Sequence, residues 1–89
     1  DVYERSLMRV CDYVVTTYFC AAFSEVGIID EDRNTIILFL KCELFGLCID
    51  WINTGMPGDA IVKLKHITAV CNGMIEDMIN RCQNGKMYD

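Results

Sequence analysis

Cysteine is the residue type with the widest chemistry in this chain, since a thiol can act as a nucleophile, a redox centre or a metal ligand. The sequence contains six, at Cys11, Cys20, Cys42, Cys48, Cys71 and Cys82. That number suits a secreted disulfide framework, but each cysteine lies in an apolar helical pattern and the chain has a single proline. Cysteine in such places behaves as a small buried hydrophobe. We therefore expect reduced thiols in a cytoplasmic protein.

A zinc site is the alternative use of these thiols. Structural zinc sites bring Cys and His ligands together at short, recurring spacings such as C-x-x-C. The sequence has no C-x-x-C, and the four best candidate ligands do not have the usual spacing; they are Cys42, Cys48, His66 and Cys71. We therefore predict no metal and no cofactor.

Few residues suggest catalysis. The single histidine, His66, ends the segment KLKH on the polar side of a predicted helix, where we expect a solvated ring. Glu43 and Asp50 are seven residues apart on one helix face, and paired carboxylates can perform acid–base chemistry. We interpret them as solvated surface groups. The sequence also lacks a glycine-rich phosphate loop, G-x-S-x-G and H-E-x-x-H. The chain is therefore predicted not to be an enzyme.

Aromatic and thiol side chains are the better candidates for binding. The aromatic residues concentrate in the first two predicted helices, where they could line an apolar pocket between helices. Tyr and Trp add a polar tip that orients a guest or a partner. Ordinary core packing is the alternative for each of them. The predicted pocket consists of Tyr13, Tyr18, Phe39, Cys42 and Trp51.

Hydrophobic periodicity predicts an all-α fold of three long helices, over about 2–24, 31–54 and 58–83. The first helix carries two apolar lines on different sides. One line consists of Leu7, Val10, Cys11, Val14, Tyr18, Ala21 and Ala22, and the other of Met8, Val15, Phe19 and Phe23. The pairs of β-branched residues at 14–17 would also fit a strand, but length and periodicity favour a helix.

The second helix organises the chain. It is apolar on every side from residue 36 to residue 40 and then narrows to a stripe, so we expect it to be enclosed at its start and paired on one side later. Asp30 is the predicted N-cap. Gly55 and Pro57 are predicted to end the helix, because glycine adopts the left-handed cap conformation and proline cannot continue a helix.

The third helix has the most regular pattern. Its seam recurs at spacings of 4, 3, 4, 3 and 4, and consists of Ala60, Leu64, Ile67, Cys71, Met74 and Met78. Such a seam is typical of helices that pack along their whole length. Asp59 is predicted to open the helix, and Gly73 lies inside it, for which close approach of another helix is one reason. Asn84 and Gly85 are predicted to close it before a polar tail, 86–89.

We expect residues 1–89 to form one domain. Its composition limits the kinds of partner that it can bind. Hydrophobic residues make up 53% of the chain, a surplus for this length that predicts a second chain covering an apolar surface. The net charge of −5 and the pI near 4.6 argue against binding of nucleic acid. No run approaches the apolar length that crosses a bilayer, so no membrane contact is predicted. Since the chain begins with Asp1, we expect it to be a piece of a longer protein.

The segment FGLCIDWINTGMP, with Gly46, Trp51, Gly55 and Pro57, resembles the C-terminal domain of TetR-type bacterial transcriptional regulators. The segment VCDYVVTTYFCAAFSEVG is similar to the preceding helix of those proteins, and the heptad helix is similar to their last. The resemblance covers nearly the whole chain. It implies an all-helical regulatory domain that binds a small apolar effector and forms a homodimer.

Carried over by position, the resemblance implies that the last two helices form a four-helix bundle with those of a second subunit. The implied dimer interface consists of Leu44, Leu47, Cys48, Trp51, Leu64, Ile67, Cys71, Met74 and Met78. The aromatic pocket described above would then hold the effector. A regulator of this type also has an N-terminal helix-turn-helix domain, which this sequence lacks. The chain is therefore predicted not to contact DNA by itself.

Two other classes of function remain open. A helical adaptor of a hetero-complex, with no small ligand, would use the same apolar stripes against an unlike partner. A small enzyme is the weakest alternative, because no nucleophile–base pair can be assembled from the sequence.

Overall fold

A computed structural model describes residues 1–84, and within them the fold is all-α, with four helices and no strand. The helices are α1 (Val2–Ala22), α2 (Asp30–Asn53), α3 (Ala60–Val70) and α4 (Met74–Asn84). The chain divides into two compact units, Asp1–Cys48 and the part that begins at Ile49. The predicted closure at Gly85 and the polar tail 86–89 lie outside the described residues. None of the four helices combines the length and the hydrophobicity that crossing a bilayer requires.

Helix α1 confirms the helical interpretation of the β-branched segment and ends two residues before the predicted boundary. It begins at a cap in which the Asp1 carboxylate accepts hydrogen bonds from the backbone N–H groups of Tyr3 and Glu4. Such a cap satisfies donors that have no partner inside the helix. At the other end, the N–H of Phe23 donates to the carbonyl of Phe19.

The first unit is a helical hairpin. Residues 23–29 connect α1 to α2, and the Lys41 ammonium lies 3.3 Å from the Asp12 carboxylate across the pair. Asp12 and Lys41 are separated from the connection by about the same number of residues. Residues that face each other in two antiparallel helices have this spacing. Both side chains are partly exposed, so the pair contributes less than about 1 kcal/mol. It marks the register and adds little stability.

The core of this hairpin comes mainly from one line of α1. Cys11, Val15 and Phe19 are buried, and Ile36 of α2 is buried with them. Phe19 also lies against Phe23, with ring centroids 5.2 Å apart. The second predicted line of α1 thus faces inward, with Val15 and Phe19 buried and Met8 and Phe23 half-buried. Most of the first predicted line stays exposed, with Cys11 as its buried member.

The start of α2 differs from the prediction by one position. Asp30 is the first helical residue and not the N-cap, because the N–H of Arg33 donates to the carbonyl of Ile29. Asp30, Glu31 and Asp32 still place negative charge in the first turn, where the helix dipole favours it. Asp32 is buried, which the sequence did not indicate.

The end of α2 is a Schellman motif. The N–H of Met56 donates to the carbonyl of Trp51 over 2.8 Å, and the N–H of Gly55 donates to the carbonyl of Ile52 over 3.1 Å. Gly55 has φ +84, the left-handed conformation that this motif requires. The indole N–H of Trp51 reaches the carbonyl of Pro57 at 3.3 Å. The predicted termination of α2 is confirmed.

The predicted single helix over 58–83 is wrong, because the chain turns at 71–73 and forms two helices, α3 and α4. Asp59 caps α3 as predicted, accepting from the N–H of Ile61. Gly73 has φ +86, and its carbonyl accepts from the N–H of Asp77 as α4 begins. A Cβ on Gly73 would meet no atom within 4 Å. The backbone conformation, and not close helix approach, therefore accounts for this glycine.

Substituting Gly73 tests the turn directly. Gly73→Ala should lower the free energy of unfolding by about 1–2 kcal/mol, because alanine is strained at positive φ. Gly46→Ala is the matched control: Gly46 lies inside α2 with open space around it, so alanine should stabilise by about 0.5–1 kcal/mol. Urea unfolding followed by circular dichroism measures both. If Gly73→Ala also stabilises, the helix is continuous through residue 73.

Candidate association surface

The most extensive candidate site in the first unit is an exposed line of uncharged side chains along α1. This α1 stripe consists of Tyr3, Val10, Tyr13, Val14 and Tyr18. At 3.6 residues per turn these five positions occupy less than half of the helix circumference, and the charged residues of α1 lie outside that sector. Tyr3 is 85% exposed and Val14 48% exposed. The side chains of the first unit therefore leave this apolar stripe exposed.

A second exposed line runs along α2 within the same unit. This α2 stripe consists of Leu38, Phe39, Cys42 and Gly46, all exposed, at spacings of 1, 3 and 4. Glu43 lies at its edge. A contiguous apolar face on a small chain is typical of a surface that another molecule covers.

The residues of the predicted effector pocket lie on these exposed faces or in the other unit. Tyr13, which is 71% exposed, and Tyr18 belong to the α1 stripe, and Phe39 and Cys42 belong to the α2 stripe. Trp51 belongs to the second unit, where its indole binds the Pro57 carbonyl. The first four are thus placed as surface groups of one unit. The pocket itself stays a prediction.

The residues of the predicted dimer interface also divide between the two units. In the first unit Leu44 and Cys48 are half-buried and Leu47 is exposed. In the second unit Trp51, Ile67, Met74 and Met78 are half-buried, and Leu64 and Cys71 are exposed. The seam through the last five of them is interrupted by the turn at 71–73, so it does not run along one helix. Its role in a dimer stays a prediction.

The turn between α3 and α4 opens a shallow groove of about 370 Å³. Val70, Met74 and Met78 give it an apolar lining, and Asp77 and Arg81 add opposite charges at its side. Cys71 and Asn72 complete it. The sequence pattern did not indicate this groove, since a continuous helix would not form one.

One thiol of the hairpin is enclosed by the core. Cys11 of α1 is 2% exposed, whereas Cys48 of α2 is half-buried. Burial, and secondarily Cys48, raises the pKa of the Cys11 thiol above its ordinary value of 9.0.

The groups considered for catalysis lie at the surface of their units. His66, Glu43 and Asp50 are all exposed. Within residues 1–84, no three His, Cys, Asp or Glu side chains are grouped closely enough to hold a metal ion. Five of the cysteines are free thiols, namely Cys11, Cys20, Cys42, Cys48 and Cys71.

Comparison with known proteins gives no match among family models, curated protein sequences or solved structures. The TetR-type resemblance therefore rests on the sequence segments quoted above. The exposed stripes of α1 and α2 are the observations that bear on function.

The raised pKa of Cys11 predicts a dependence of stability on pH. The folded state holds the Cys11 proton more tightly than the unfolded state, so its contribution is fully present below pH 9.0. This contribution is lost as the pH rises through the higher folded-state pKa. Unfolding free energies from urea titrations at pH 7.5 to 10.5 should fall more steeply for the wild type than for Cys11→Ala. Cys20→Ala is the control, since Cys20 is an exposed thiol on the same helix. Equal slopes for the wild type and Cys11→Ala would contradict the prediction.

Proposed function

We propose that this chain is a helical association domain that forms a homodimer through the α1 stripe. The observation that carries the proposal is the length of that stripe: apolar or aromatic side chains are exposed from Tyr3 to Tyr18 without a charge among them. Interface cores are depleted in charged residues and enriched in aromatic ones, and three of the five members are tyrosines.

The uncharged character of the α1 stripe allows a second copy to be the occupant. Each chain has a net charge of −5, so two copies repel wherever their acidic faces meet. The α1 stripe lets two copies approach without burying like charges. A two-fold symmetric pairing would place each stripe against its own equivalent, which an uncharged surface tolerates.

The magnitudes are consistent with a reversible dimer. Burying a side chain that is about half exposed contributes about 1 kcal/mol, so ten such side chains in a symmetric dimer contribute on the order of 10 kcal/mol. Association costs an estimated 4–15 kcal/mol in lost translational and rotational freedom. The α1 stripe alone therefore supports weak dimerisation. A tight dimer needs further surface, which the α2 stripe can supply.

The more specific form of the proposal is the ligand-sensing and dimerisation domain of a TetR-like regulator. It is supported by the sequence resemblance, the helical fold and the apolar surface. In that form, binding of an apolar effector would favour one arrangement of the dimer over another and so change DNA binding by the longer protein. The interruption at Gly73 means that α3 and α4 would enter the four-helix bundle as separate helices.

A helical adaptor that binds an unlike protein is the second candidate. The same exposed stripes support it, and the acidic balance of the chain would favour a partner with basic residues around an apolar centre. The two candidates differ in what the purified chain does alone. The association domain forms a dimer, whereas the adaptor remains monomeric or aggregates.

A charge in the middle of the α1 stripe tests the homodimer. In reducing buffer, light scattering should give the wild type a mass of twice the 10.2 kDa chain. Val14→Glu should weaken the dimer at least about tenfold, because two unpaired carboxylates would be buried at the contact. Val14 is half exposed in the single chain, so the variant should keep its helical circular dichroism spectrum.

Two controls distinguish the surfaces. Ser24→Glu adds the same charge at an exposed turn position outside both stripes and should leave the dimer intact. Leu64→Asp tests the interface implied by the resemblance. If Leu64→Asp dissociates the dimer and Val14→Glu does not, the α3 surface forms the contact and the α1 stripe does not. A monomeric wild type would favour the adaptor.

A further inference from the structure

The turn between α3 and α4 exposes an asparagine directly before a glycine. Asn72 is exposed and lines the groove at this turn together with Cys71 and Asp77. Gly73 follows it in the left-handed conformation, with φ +86. Asparagine is one of the thermolabile residues of proteins, because the carbon of its side-chain amide can be attacked by the next backbone nitrogen. Whether this attack occurs depends on how that nitrogen is bonded and on the space around it.

The backbone nitrogen of Gly73 is free for such an attack. In the turn, the N–H of Asn72 donates to the carbonyl of Ala69 at 3.4 Å, and the N–H of Met74 donates to the carbonyl of Cys71 at 3.0 Å. Between them, the N–H of Gly73 has no backbone acceptor in the described part of the chain. A Cβ on Gly73 would meet no atom within 4 Å, so no neighbouring group obstructs the approach of the Asn72 side chain.

Three other asparagines of the helices are each followed by a residue other than glycine. Asn34 and Asn80 lie inside α2 and α4, where the backbone N–H groups form the hydrogen bonds of the helix. Asn53 is exposed at the end of α2, but the N–H of Thr54 after it donates to the carbonyl of Asp50 at 3.0 Å. A free N–H on a following glycine therefore distinguishes the turn between α3 and α4 from these sites.

We propose that Asn72 is a site of spontaneous deamidation, at which the turn between α3 and α4 acquires a carboxylate. The modification needs water and no enzyme. It belongs to the second unit and does not depend on homodimer formation through the α1 stripe.

The reaction balances with water as the only co-reactant. The nitrogen of Gly73 attacks the Cγ carbon of Asn72 and closes a succinimide ring. The Cγ–Nδ2 bond breaks, and Nδ2 leaves as ammonia with the proton that Gly73 loses. Water then opens the ring at one of its two carbonyl carbons. Opening at Cγ restores the backbone and leaves an aspartate, whereas opening at the backbone carbon leaves an isoaspartate. No electrons are exchanged with another molecule.

The two products change the turn in different ways. Either one adds a negative charge to a chain with a net charge of −5, at a groove that Asp77 and Arg81 also line. An aspartate keeps the backbone, and its charge lies just before α4, where the helix dipole favours it. An isoaspartate adds a carbon atom to the main chain between Cys71 and Met74, whose hydrogen bond closes the turn. Only the isoaspartate should therefore weaken the turn.

The test is prolonged incubation of the full chain in mildly alkaline reducing buffer, folded and in urea, followed by trypsin digestion and mass spectrometry. Cleavage after Lys65 and Arg81 gives a peptide that contains Asn72 but not Asn84, the other asparagine that precedes a glycine. We expect this peptide to exchange one NH group for one oxygen atom and to separate into two products of equal mass. The rate in the folded chain should be within about twofold of the rate in urea, because the N–H needs no local unfolding to become free.

Two variants complete the test. Thr54→Gly gives Asn53 a following glycine at a position whose N–H donates to the Asp50 carbonyl. In this variant Asn53 should react at least about tenfold more slowly in the folded chain than in urea, because only local unfolding frees that N–H. Asn72→Gln keeps an amide at the turn and should abolish the conversion, since glutamine would have to close a larger ring. The proposal is overturned if folding protects Asn72 as strongly as Asn53, or if the peptide still converts in Asn72→Gln, which would place the reaction at Asn80.

Discussion

The structure of the first unit depends on the burial of one line of α1 against α2. Two packed helices share one line of contact, so an apolar helix with two lines can bury only one of them in a hairpin. Phe19 and Val15 occupy the buried line, and Phe19 is fully enclosed. Val10 and Val14 are left on the surface as a direct consequence. The exposed α1 stripe is therefore the remainder of an apolar helix whose unit contains only one other helix.

The resemblance to TetR-type regulators can be weighed against the local structure of its motif. Gly55 provides the left-handed residue of a Schellman motif, and Trp51 donates to the Pro57 carbonyl just beyond it. These residues reverse the chain at the end of α2, a requirement that any helical protein can share. The motif therefore indicates how α2 ends. The proposed effector binding and dimerisation would instead depend on the helix faces, where Val14 and Phe39 are exposed.

Sequence reasoning predicted the parts of this structure that local chemistry determines. The helical class, the ends of α1 and α2 to within two residues and the Asp59 cap follow from periodicity, cap residues and turn residues. The sequence analysis did not predict the turn at Gly73, because the heptad seam continues on both sides of it and favoured one continuous helix. An Asn-Gly pair such as the one that ends at Gly73 can form a turn. The burial of Cys11 and Val15 depends on the rotation of one helix against another. The hydrophobic pattern of a single helix carries no information about that rotation.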